Sequence, residues 1–316
     1  MKVSCAIAAI AIYVFSLLSW LYGTTEYIKR HKLNNWNTES NGLIMPCNST
    51  VDLVILGTSR ARTFSRFANH ERTEKILHRK VLNIARGGGA GVVPMAMELK
   101  WFYDRHNHAK TILYFIDPWV LYSHTWNEHN YIANPCFFKE EPFSFDYAFR
   151  VYANSGELGL TKYLRAKLKS EWLSYAPLTE TYDNSRLYGP TAEGAAKRIS
   201  CLYDEKLQEA NFTRYSKKLS EIVALAEADN ARLIFALPPT LLNEPGQERL
   251  TNFLRDLQKT HRVEFHDFSK SITDPQFFAD YDHLNTKGIV KILNEQILPS
   301  LHSKETNAIT HARSSL

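Results

Sequence analysis

The chain has little cysteine. Its 316 residues hold four: Cys5, Cys47, Cys136 and Cys201. None has the short spacing of a structural metal site, so no metal and no other cofactor is expected. The three cysteines beyond the N-terminal segment permit one disulfide and a free thiol, or three buried thiols, and leave the compartment open. Charge of one sign is also scarce. The formal net charge is +5 and is spread along the chain, with no arginine-rich tract and no nucleic-acid-binding motif, which argues against nucleic acid as a partner. Internal repeats and low-complexity segments are absent, which argues against a solenoid. What remains is ordinary globular composition, 44% hydrophobic and 22% charged, in a chain long enough for one large core or two modest ones.

One long hydrophobic run is present, from Val3 to Tyr22, and its length suits a bilayer span. A cleaved signal peptide is the rival reading, but no small-x-small site precedes Thr24. A buried core helix is the other alternative. We read residues 1–23 as an uncleaved anchor in the lipid bilayer. Residues 24–47, polar and rich in Asn, Thr and Ser, read as a stalk. Lys2 precedes the span, and Lys29, Arg30 and Lys32 follow it. The positive-inside rule alone would leave the domain in the cytoplasm.

The apolar run Val51 to Leu56 stops abruptly at Gly57-Thr58-Ser59. Such a run reads as a buried parallel strand. A serine at its carboxyl end stands where open α/β sheets place ligands; the plain alternative is a turn serine capping the next helix. Arg62 to Arg79 reads as helical and Lys80 to Ile84 as a second strand leading into Gly87-Gly88-Gly89. Pro94 suits the first turn of a helix reaching His106. Thr111 to Ile116 is a third strand, ending at Asp117-Pro118-Trp119. The α/β rhythm then lapses from 119 to about 201. Aromatics crowd the first part of that insertion: Trp119, Tyr122, Trp126, Tyr131, Phe137, Phe138, Phe143, Phe145, Tyr147, Phe149 and Tyr152. Packing is their usual meaning; a cap over a substrate groove is the functional alternative. The rhythm resumes with a helix (Asp204 to Ala228), a strand (Arg232 to Leu237), a helix (Glu244 to His261), a strand (Val263 to Phe268) and a closing helix from Thr286 to about Leu301. Residues 303–316 read as a disordered tail. Strands alternating with helices imply an α/β domain whose parallel sheet is covered on both faces.

Near the C-terminus stands Asp280-Tyr281-Asp282-His283-Leu284-Asn285. With Gly57-Thr58-Ser59-Arg60 and Asn83-Ile84-Ala85-Arg86-Gly87-Gly88-Gly89, this order of blocks resembles the SGNH (GDSL-like) hydrolase superfamily. The resemblance covers residues 48–302. It implies a three-layer α/β/α sandwich with a central parallel sheet, flavodoxin-like, with the insertion at about 119–201. It also implies a triad of Ser59 as nucleophile, His283 as base and Asp280 as the carboxylate that holds the imidazole, with Asp282 a rival. The implied oxyanion donors are the backbone N–H groups of Ser59 and Gly88, with Gly87 and Gly89 as competitors. One block departs from the family: Asp117-Pro118-Trp119 stands where an asparagine usually donates to the oxyanion.

Gly-Thr-Ser-Arg, Leu237-Pro238-Pro239 and Asp-x-x-His-Leu-Asn look most like membrane-anchored proteins of envelope acylation, those of alginate and peptidoglycan O-acetylation and of teichoic-acid D-alanylation. That likeness implies an extracytoplasmic domain, against the positive-inside rule. It also implies an acyl-Ser59 intermediate, an envelope polysaccharide or acyl donor as substrate, and a multi-span acyltransferase partner. Water as the acceptor would make the same residues an esterase. A non-catalytic carbohydrate-binding or scaffold module is the alternative. Arg60, Arg62 and Arg86 flank the first two blocks and offer an anion clamp for substrate, exposed arginine being the plainer reading. Trp119 is expected to line the groove and Asp117 to turn away toward backbone or an arginine.

Overall fold

The strand Val51 to Leu56 lies second from the edge of a five-stranded sheet in the computed structural model of the chain, which describes residues 2–32, 45–66, 69–87, 91–129, 145–168, 187, 189–203 and 209–302. The strands are β1 (Thr50–Gly57), β2 (Val81–Asn83), β3 (His108–Phe115), β4 (Arg232–Leu237) and β5 (Val263–Asp267). They pair in the order β2-β1-β3-β4-β5, every pair parallel. The runs Leu53 to Leu56, Ile112 to Phe115 and Leu233 to Leu237 are continuously apolar because both sheet faces are covered. Val54, Leu56, Ile112, Tyr114, Leu233 and Phe235 point into one buried cluster, with residues of α4 (Val92–Asp104), α7 (Glu209–Ala228) and α8 (Gln247–Thr260). Leu53, Ile55, Leu113, Phe115, Ile234 and Ala236 point into the other, with residues of α3 (Asn69–Leu77) and α9 (Thr286–Ile292), which runs on through a wide π turn at Leu293–Ile297. The α/β class and the parallel sheet are therefore as expected.

The order reverses at β1. Its chain leaves toward β2 through α2 (Ser59–Arg62) and α3, and the chain from β2 returns to β3 through α4. Where successive connections part to opposite faces, a crevice opens beyond the carboxyl ends of the strands. Ser59 stands there.

Three expectations need revision. The stretch Arg62 to Arg79 is not one helix. The chain turns after α2 because Phe64 is drawn inward to stack on Phe115, ring centres 4.9 Å apart. The turn is tied by Thr63 Oγ1 donating to Arg60 O (2.6 Å) and Thr73 Oγ1 donating to Phe64 O (2.9 Å). Second, the N-terminal helix α1 (Lys2–Lys32) continues past residue 23 into the expected stalk. It is long and apolar enough to cross a membrane over Ala6–Gly23. Ile7, Ile10, Phe15 and Trp20 are exposed, while Leu21 is buried against the domain core. Third, Cys47 and Cys201 are exposed free thiols, not buried ones; Cys136 lies outside the described residues.

The stretch expected to be an insertion holds two longer helices among the described residues: α5 (Phe145–Leu168), kinked at Gly156, and α6 (Ala192–Leu202). Its aromatics divide. Trp119, Tyr122 and Tyr147 are buried in the core, whereas Phe145, Phe149 and Tyr152 face outward. Tyr131, Phe137, Phe138, Phe143 and the tail 303–316 lie outside the described residues.

Candidate active site

The turn that presents Ser59 depends on Gly57. Its φ is +141°, a region that side chains rarely occupy, and a Cβ there would meet Phe115 O at 2.5 Å and Ala61 Cβ at 2.7 Å. Thr58 then caps α2: its hydroxyl accepts from Arg60 N (3.3 Å) and donates to Asp117 Oδ2 (2.6 Å). Because Thr58 takes the capping role, the Ser59 hydroxyl is left for another partner.

That partner is His283. Its Nε2 lies 2.7 Å from Ser59 Oγ, and its Nδ1 lies 2.9 and 3.0 Å from the two oxygens of Asp280. The Asp-x-x-His spacing works through a local turn. Asp280 Oδ1 accepts from the backbone N–H of Asp282 (3.0 Å) and of His283 (2.8 Å), which sets the carboxylate against the imidazole three residues on. A bridge between Phe278 and Leu284 closes the loop, and Asn285 caps α9 by accepting from Gly288 N (3.0 Å). Asp282, the rival carboxylate, stands 3.5 Å from the same Nδ1. Ser59, His283 and Asp280 thus meet although the first is more than two hundred residues from the others.

Behind this trio lies a buried ionic cluster that local sequence did not announce. Arg60 pairs with Asp117 (2.8 Å), Glu244 (2.6 Å) and Asp282 (3.1 Å), all with side chains at most 3% exposed. Arg198, from α6, reaches Asp282 from the other side (2.7 Å). Two cations therefore face three carboxylates. Burial, the largest influence on Asp117, pushes it up to about 6 against the pull of Arg60. Burial would also raise Asp282, but Arg60, His283 and Arg198 hold it well below the usual carboxylate range. Burial lowers the basicity of His283, yet the hydrogen bonds and charges of Asp280 and Asp282 outweigh it and bring the imidazole to about 9. Ligand atoms of Asp280, Asp282 and His283 lie within 4.8 Å of one another, a grouping able to receive a cation; in this arrangement they are engaged with Ser59, with one another and with the two arginines.

The three expected clamp residues are placed otherwise. Arg60 is buried among its three carboxylates and presents no free face to a substrate anion. Arg86 is 1% exposed and its guanidinium meets Glu98 (3.3 Å), which also accepts from Tyr147 Oη (2.7 Å). Burial raises Glu98 despite Arg86. Arg62 is likewise buried, its guanidinium pressed against Gly87. All three arginines are interior cations, because the sheet edge that they flank is covered by the loops around it. Trp119 is buried (4% exposed) against Trp126, ring centres 5.0 Å apart, and does not form an open groove wall. Its indole N–H has no partner among the described residues. Asp117 turns toward Arg60 and Thr58, as expected of it. Gly88 and Gly89 lie outside the described residues. The residues missed from sequence were Glu244 and Arg198. Glu244 was expected to open a helix that begins only at Gln247, and Arg198 lies in the stretch 119–201 where the α/β rhythm lapses; neither belongs to a motif.

No protein-family model matches the chain, and no curated protein matches it.

Proposed function

We propose that this chain is a serine-dependent acyl-transfer or ester-hydrolysing enzyme of the SGNH type. One observation carries the reading: the relay from Ser59 Oγ to His283 Nε2 (2.7 Å) and from His283 Nδ1 to Asp280 (2.9 Å). Nucleophile, base and orienting carboxylate within hydrogen-bond reach are the arrangement that nucleophilic catalysis needs. Helices on both sheet faces and the order β2-β1-β3-β4-β5 accord with a flavodoxin-like three-layer α/β/α sandwich carrying an insertion.

In this reading, neutral His283 takes the Ser59 hydroxyl proton on Nε2 as Oγ attacks the ester carbonyl. Asp280 stabilises the imidazolium. The Ser59 N–H, which has no protein acceptor among the described residues, and the Gly88 N–H would receive the oxyanion. Collapse expels the alcohol, which leaves with the proton from His283, and gives acyl-Ser59. An incoming hydroxyl, of a sugar in a transferase or of water in an esterase, then loses its proton to His283 as its oxygen attacks the acyl carbonyl, and the bond to Ser59 Oγ breaks as Oγ takes that proton back from His283. The family likeness points to an envelope glycan or glycolipid and to a multi-span acyltransferase partner. α1 would anchor the domain outside the membrane.

A second reading is a non-catalytic carbohydrate-binding or scaffold protein. Two observations favour it: Asp117 replaces an amide donor, and an imidazole near 9 is largely protonated at neutral pH. Covalent labelling by a fluorophosphonate separates the two. A working triad reacts at Ser59 and Ser59→Ala abolishes the signal; a chain that stays unlabelled from pH 6 to 10 is a scaffold.

A further inference from the structure

The insertion reaches the base through α6. Arg198, with a side chain 28% exposed, grips Asp282 with two prongs: Nε donates to Oδ1 (2.7 Å) and a terminal nitrogen to Oδ2 (2.9 Å). The helix is pinned to the same segment at its start. Thr191 N donates to Tyr281 Oη (3.1 Å), and Tyr281 Oη donates back to Thr191 O (3.4 Å). Gly194 lies so close beneath the Tyr281 ring that no side chain fits there. The oxygen held by Arg198 Nε, Asp282 Oδ1, is the one 3.5 Å from His283 Nδ1.

We infer that Arg198 is a positioning residue for the base, holding Asp282 and offsetting its charge so that the hold of Asp282 on the imidazolium form of His283 is weakened. The inference rests on His283 acting as the base in the reading above. The charged groups around the imidazole divide by sign. Asp280 and Asp282 on its own segment, Asp117 after β3 and Glu244 after β4 all favour the protonated ring. Arg60 on α2 and Arg198 on α6 oppose it. Ser59, on α2, is the neutral partner at Nε2. Of the two cations, Arg60 is walled in by three carboxylates and belongs to the sheet edge. Arg198 is the one that the insertion supplies, and its removal leaves the sheet and its connections in place. α6 thus gives the irregular part of the chain a direct hold on proton transfer.

Losing one nearby like charge moves an imidazole upward by about one pH unit. Near pH 7, far below the midpoint, that is about tenfold less neutral imidazole. The test uses the full chain in detergent micelles and the rate of fluorophosphonate labelling from pH 6 to 10. Arg198→Gln is expected to label about tenfold more slowly than wild type at pH 7, the ratio shrinking to about twofold at pH 10 as both imidazoles lose their protons. Arg198→Lys keeps the charge and is expected to stay within about threefold throughout. A Gln variant slowed by a constant factor at every pH means that α6 merely covers the site, and overturns the inference; equal rates overturn it as well. An independent readout is the carbon-13 NMR titration of His283 in a Ser59→Ala background, where Arg198→Gln must still raise the midpoint. A midpoint that moves in a chain that never labels refutes the serine reading and leaves the role of Arg198 standing. An unmoved midpoint refutes that role whatever the labelling shows.

Discussion

Two carboxylates flank the same imidazole nitrogen, and replacing each by its amide distinguishes their roles. Asp280 Oδ1 is tied to the backbone N–H groups of Asp282 and His283. In Asp280→Asn the amide oxygen keeps those two bonds, so the NH₂ group takes the remaining position against His283 Nδ1. A donor facing Nδ1 forces the proton onto Nε2, and an Nε2–H cannot accept from Ser59. Loss of the correct tautomer in such triads costs about 10⁴-fold in rate. Asp280 is 48% exposed on its side chain, so the fold should not suffer. Asp282→Asn does the opposite. It takes from Arg198 the carboxylate that it grips and from Arg60 one of three, with Asp117 and Glu244 still in place, which destabilises by about 1–3 kcal/mol and lowers Tm by on the order of 5 °C. The assay pairs the rate constant for fluorophosphonate labelling with thermal unfolding of the same preparation. Asp280→Asn is expected to melt like wild type and to label about 10⁴-fold more slowly. A folded Asp282→Asn chain that does not label, beside an Asp280→Asn chain within tenfold of wild type, would refute this assignment and make Asp282 the orienting carboxylate.

Stability should depend on alkaline pH through His283. Its folded value, about 9, lies above the ordinary 6.5. The stabilisation is therefore fully present below about pH 6.5 and is lost as pH rises through 9, a difference of up to about 3 kcal/mol. Urea unfolding at pH 6 and at pH 9.5 reads it, and His283→Gln should flatten the difference. Gly57→Ala places a Cβ 2.5 Å from Phe115 O at φ +141°; we expect a loss of more than about 2 kcal/mol in urea unfolding, and an unchanged midpoint would mean that the turn relaxes freely. Trp119→Phe separates two uses of the indole N–H, which has no partner among the described residues. A fall in kcat of about 10²-fold would identify a donor to the oxyanion, whereas the burial against Trp126 makes unchanged kinetics the expected outcome.

Much of the architecture follows from local pattern. Val51 to Leu56, Thr111 to Ile116 and Arg232 to Leu237 are short, largely apolar and rich in β-branched and aromatic residues, the pattern of a strand covered on both faces. Ser59, Asp280 and His283 were legible because their chemistry is set locally. Gly57 with its neighbour Thr58 presents the serine, and the Asp-x-x-His turn seats the carboxylate on the imidazole within four residues. The arginines were not legible in the same way. Arg60, Arg62 and Arg86 look alike in sequence, each a cation beside a motif. Whether such a group clamps a substrate or neutralises buried carboxylates depends on what the rest of the chain brings to within 3–4 Å. Glu244 arrives from 184 residues away and Asp282 from 222. Charge interactions act through space and carry no periodicity, so sequence determined the strands and the two local turns that present Ser59 and seat Asp280 on His283, and only the tertiary structure brought those turns together and decided which charges surround them.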